Sequence, residues 1–81
     1  MEPIFTQVEC YSGYKADERP RRFLYYEAWL EVGEVVDSRH QVGRSSEGWR
    51  ADYFKVLAED GHLYLLKHDL EADQWLLMRR W

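Results

Sequence analysis

One cysteine, two prolines and five glycines are all that 81 residues hold of the types that staple, lock or loosen a chain. With Cys10 alone, no intramolecular disulfide and no multi-cysteine zinc site can form, which fits a reducing compartment. No run approaches the roughly 18 apolar residues that cross a bilayer as a helix. The opening Met1-Glu2-Pro3 also lacks a basic n-region followed by an apolar stretch, so the expected location is the cytoplasm and the natural chain is expected to start at Met1. Neither Gly-x-x-x-x-Gly-Lys nor Gly-x-Gly-x-x-Gly occurs, which removes the usual nucleotide-binding loops. Positive charge is also short: 11 Lys and Arg against 15 Asp and Glu give a formal charge of −4. Such a field slows approach to a phosphate backbone, so any basic surface must be local.

Aromatic residues are what the chain has in abundance. Four Trp, six Tyr and three Phe in a 46% hydrophobic composition exclude wholesale disorder. The length suits one small domain over residues 1–81, and a domain of this size buries only roughly 60% of its unfolded surface, so large side chains matter.

Short segments rich in aromatic and β-branched residues recur about every ten residues between turn signals, which predicts an all-β fold. Thr6 to Tyr11 alternates, with Val8 and Cys10 on one face. Ser12 to Pro20 reads as an exposed connection. Arg21 to Tyr26 is strand-like, and Glu27-Ala28 is the expected turn. In Trp29 to Asp37, Leu30 and Val32 share a face that Val35 leaves under strict alternation. A bulge at Gly33 and Glu34 would bring Val35 back. A helix over 25–36 competes, but Gly33 and the β-branched pair Val35-Val36 oppose it. Ser38 to Arg50, with Gly43, Ser45, Ser46 and Gly48, reads as the longest and most mobile loop. Asp52 to Ala58 alternates again, placing Phe54, Val56 and Ala58 opposite Tyr53, Lys55 and Leu57. Glu59-Asp60-Gly61-His62 predicts a hairpin with Gly61 at positive φ, followed by strands near 62–68 and 74–78. Five or six antiparallel strands follow, as a small SH3-like barrel or a strongly coiled meander. A homodimer through edge strands is compatible with such a barrel.

Arg22-Phe23, Trp29-x-x-Val32-x-x-Val35, Asp52-Tyr53-Phe54-x-Val56, Asp60-Gly61, Tyr64-x-Leu66, Asp69 and Trp75-x-Leu77 form a pattern over about residues 21–78. This pattern resembles a small uncharacterised bacterial β-domain that also occurs at the C-terminus of certain DNA-repair proteins related to Y-family polymerases. The resemblance implies a fold and a genomic neighbourhood. It carries no catalytic motif onto any residue here.

The remaining chemistry is sparse. Cys10 alternates with Val8 on the expected core face, where a lone cysteine packs more often than it reacts. Ser38, Ser45 and Ser46 lack a Gly-x-Ser-x-Gly setting. His62 and His68 lie about 20 Å apart along a straight strand at roughly 3.3 Å per residue, too far to share an ion. Glu59-Asp60 and Glu71 with Asp73 read as solvated turn carboxylates. No enzyme activity, cofactor or metal is therefore expected. Thirteen rings exceed what a small barrel can hide, and exposed rings beside arginine can clasp a peptide or stack bases. Arg19, Arg21 and Arg22 beside Tyr25 or Tyr26, Arg44 and Arg50 around Trp49, and Arg79-Arg80 beside Trp81 are the candidates, with the Trp49 loop foremost. Arginine stems that merely shield aromatic faces are the plainer reading of each. The leading expectation is a non-enzymatic interaction module binding protein or peptide. The alternative is a single-stranded nucleic-acid-binding barrel accessory to DNA repair.

Overall fold

The computed structural model describes residues 2–11, 19–42 and 50–81. Its strands are β1 (Ile4–Thr6), β2 (Val8–Cys10), β3 (Pro20–Tyr25), β4 (Ala28–Val42), β5 (Arg50–Ala58), β6 (Leu63–Asp69) and β7 (Gln74–Arg80). All pair antiparallel in one curled sheet of order β1-β7-β6-β5-β4-β3-β2. The fold is the all-β small barrel or meander that the alternation predicts, with seven strands in place of five or six.

The extra strand comes from the N-terminus. Thr6 to Tyr11 reads as one strand, yet the chain changes partner at Gln7: β1 pairs with β7, and β2 pairs with β3. The two edges of the sheet are thus successive pieces of one segment. Gln7 C=O accepts from Leu24 N–H at 2.9 Å, and the Thr6 hydroxyl donates to the Leu24 carbonyl. Side-chain alternation could not reveal a swap of hydrogen-bonding partner.

The β3–β4 turn is Tyr26-Glu27, one residue earlier than expected, because Tyr25 pairs with Ala28. Tyr26 takes φ 55°, a region such two-residue loops usually give to Asn or Gly. Its ring packs edge-to-face on Tyr25 at 4.7 Å, which favours this closure.

In β4 the register shifts between Val32 and Glu34, the bulge that Gly33 predicts, and the competing helix is absent. A second shift falls between Val35 and Asp37. Leu30, Val32 and Val35 consequently all pack against the core. Beyond them the expected loop is overturned over 38–42 and at Arg50: Ser38–Val42 continue β4 opposite Arg50–Phe54. Ser38, Arg39, His40 and Gln41 are polar, so no hydrophobic alternation marks this part of β4, and cross-strand pairs such as Arg39 with Tyr53 and His40 with Asp52 form the ladder instead. The rest of that loop, with Arg44 and Trp49, lies outside the described residues, as does most of the Ser12 to Pro20 connection.

Gly61 closes the β5–β6 hairpin at φ 83°. Phe54, Val56 and Ala58 then face Tyr64, Leu66 and Leu77 around Phe23. Full burial of such side chains contributes roughly 1.5–3 kcal/mol each. Phe23 meets Tyr64 edge-to-face at 4.8 Å, so β3 is clamped over the β5–β6 hairpin. Among the described residues no helix is long and apolar enough to cross a membrane.

Candidate interaction surface

Two polar clusters line the inner side of the sheet. At one end Tyr64 Oη donates to Asp60 Oδ2 at 2.5 Å and accepts from Arg80 Nε at 2.9 Å. The Arg80 guanidinium also lies over Tyr25 at 5.3 Å. Burial disfavours the ionised Asp60, but the Tyr64 hydroxyl, the His62 N–H and nearby Arg80 outweigh it and hold the carboxyl below its ordinary range. Burial and the Asp60 hydrogen bond push the Tyr64 phenol up. At the other end His40 Nδ1 meets Asp52 Oδ1 at 2.5 Å, and His68 Nε2 meets Asp73 Oδ1 at 2.9 Å. His68 is buried and stacks flat on Trp75, with centroids 4.2 Å apart.

These histidines are committed to carboxylates and rings. His62 faces the Trp81 carbonyl, through Nδ1 at 2.7 Å. Among the described residues no group of three His, Cys, Asp or Glu side chains is placed to hold a metal. Cys10 is half-buried on β2.

The sequence candidates on β3 are partly spoken for. Arg22 forks onto Glu9, Nε to Oε1 at 2.7 Å and Nη2 to Oε2 at 3.0 Å, while its guanidinium lies 4.7 Å from the Trp29 centroid. The hydrogen bond from Arg22 leads in lowering the Glu9 pKa, and that to Glu9 leads in raising the Arg22 pKa. Arg21 is exposed beside this pair. Tyr25 packs inward on Tyr64 at 5.4 Å, and Tyr26 stays exposed at the hairpin tip. Arg50 opens β5 and pairs with Glu71 at 3.1 Å. The structure therefore places Arg21, Arg22 and Tyr25 on β3 with Tyr26 in the turn that follows, and sets Arg50 apart from them.

The outer face of the sheet brings together a group that the chain order scatters. Asp37, Lys55, Leu65 and Arg79 are cross-strand partners in succession, and Arg39, Tyr53, Lys67, Leu76 and Phe5 form the adjoining row. Both rows lie opposite Phe54 and Leu66. Lys55 Nζ and the Arg79 guanidinium sit 4.5 and 4.7 Å from the Trp81 ring centroid. Trp81 is fixed by its own backbone, since its N–H donates to Leu63 C=O at 2.8 Å and its carbonyl meets His62. An open depression of about 430 Å³ lies beside them, lined by Asp37, Arg39, Gln41, Tyr53, Lys55 and Leu65. Among the described residues neither Lys55 nor Arg79 makes an ion pair with a carboxylate. Arg79 beside Trp81 is visible in the sequence; Lys55 is not, because only the strand register brings it there. Alternation around Phe54 does mark Lys55 as outward.

No family model, curated protein or solved structure matches this chain. Any functional reading therefore rests on the surface itself.

Proposed function

We propose that the chain is a non-enzymatic interaction module whose outer face, on β4 to β7, binds an extended protein segment alternating acidic and apolar residues. The Lys55–Leu65–Arg79 row carries this reading: two cations that, among the described residues, form no ion pair with a carboxylate flank an aliphatic side chain, beside Trp81. A β-strand of such a segment would present carboxylates to the cations and apolar groups to Leu65 and the adjoining depression. The net charge of −4 opposes a dense polyanion more than a segment with a few carboxylates.

Single-stranded nucleic acid is the second reading, and the flat rings of Tyr53 and Trp81 among cations favour it. Lys55 and Arg79 already cover Trp81, however, so base stacking there must displace a charge from the ring.

Fluorescence anisotropy with a labelled (Glu-Leu)-repeat peptide and a labelled mixed-sequence oligonucleotide of equal length separates the two. The peptide is expected to bind the natural chain, and the double variant Lys55→Glu, Arg79→Glu to weaken it at least about tenfold, the loss of two charge-assisted contacts. Peptide binding that survives the reversal rejects the outer face. Tighter binding of the oligonucleotide, falling steeply between about 50 and 200 mM salt, selects the second reading.

A further inference from the structure

Among the described residues, the second half of β4 has a neighbour on one side only. Ala28–Glu31 pair with β3, whereas Val32 to Val42 pair with β5, and among the described residues no strand pairs with their other edge. A long exposed edge is a template for another strand, and folded proteins usually blunt it with bulges or charges. Here the two register shifts blunt the edge as far as Val36. From Asp37 to Val42 the ladder is regular, without proline, and the exposed Val36 and Val42 flank it.

We infer that this edge pairs with the same edge of a second copy of the chain, antiparallel and about a two-fold axis at Ser38. Symmetry restricts the choice of register. Paired residues of a two-fold strand pair must lie on the same face, so the axis passes through a residue position, and that residue faces its own copy. Centred on Arg39, the two guanidinium groups would oppose each other. Centred on Ser38, Asp37 of each copy faces Arg39 of the other. Asp37 and Arg39 already pair within the chain at 3.1 Å, and both side chains are about half exposed or more. Across the axis they become a square of alternating charge on the outer face, while small Ser38, which shares the face of Phe54, meets its own copy on the other side of the sheet.

The sheet then runs on from one copy into the next. Its outer rows, including Arg39 and Tyr53, continue across the axis, which doubles the length of the face that an extended ligand can follow. Pairing at this edge does not depend on the binding reading above.

Sedimentation equilibrium of the whole chain from micromolar to millimolar concentration tests the proposal. The natural chain is expected to approach twice its 9.8 kDa mass as concentration rises. Arg39→Asp alone and Asp37→Arg alone each set like charges opposite one another, and each is expected to weaken the dimer about tenfold. Mixing these two variants restores opposite charges across the axis and should recover the dimer. Far-ultraviolet circular dichroism checks that each variant keeps its strands. A natural chain that stays monomeric overturns the proposal. So does a dimer indifferent to both reversals, or a mixture that associates no better than its components.

Discussion

Arg22 and Arg79 sit at the same distance from a tryptophan, 4.7 Å from the ring centroids of Trp29 and Trp81. Their surroundings differ. The Arg22 fork is filled by both oxygens of Glu9, so β3 presents a closed set of ring, guanidinium and carboxylate. Arg79 shares its ring with Lys55, and among the described residues neither meets a carboxylate. An arginine on an aromatic face is therefore no sign of a binding site by itself. What distinguishes the two regions is whether the charge is already matched within the fold.

If the β3 side is chiefly structural, damage beneath it should fall on stability. Phe23→Ala should cost about 3–5 kcal/mol in urea unfolding, because the ring is fully buried against Tyr64. Tyr64→Phe comes next. It removes the donor to Asp60 and the acceptor for Arg80, and should cost about 1.5–3 kcal/mol, the range for hydrogen bonds to charged groups. It should also change the acid limb. The folded Asp60 pKa is lowered, so its contribution is present above about pH 4 and is lost as pH falls through the folded value. Without the Tyr64 hydroxyl, less remains to be lost, and the pH profile of the unfolding midpoint should flatten there.

Glu9→Gln bears on the closed set directly. The Glu9 pKa is also lowered, first by the Arg22 hydrogen bond, so the natural chain should lose this stabilisation below about pH 4.5 while the variant does not. At neutral pH the loss should be small, since the pair is solvent-exposed. Smallest of all is the expected effect of Lys55→Glu with Arg79→Glu on folding. Surface changes of this kind usually stay within about 0.5 kcal/mol, so an unfolding midpoint close to that of the natural chain is expected. A large drop would make the outer cations structural and erase the contrast with β3.

Much of the fold is legible in residue order, because alternation reports burial. Phe54, Val56 and Ala58 are inward as read, Gly61 turns the hairpin, and Gly33 marks a bulge that keeps Val35 on the core. Alternation fails where a strand runs through polar residues, as over 38–41, and where the chain changes partner without changing pattern, as at Gln7. The surface was half visible for a related reason. Adjacency shows Arg79 beside Trp81, but it also suggests Arg80, which turns inward to Tyr64 and Tyr25. Lys55 reaches Trp81 through the register of three strands, which no local pattern encodes.

The outer face is best tested by amide NMR spectra of the natural chain during titration with the (Glu-Leu)-repeat peptide. Shifts confined to Tyr53, Lys55, Leu65, Arg79 and Trp81, and absent from the Lys55→Glu, Arg79→Glu variant, are the predicted result. Shifts centred on Arg21, Arg22 and Trp29, or a silent titration of the folded protein, would contradict it.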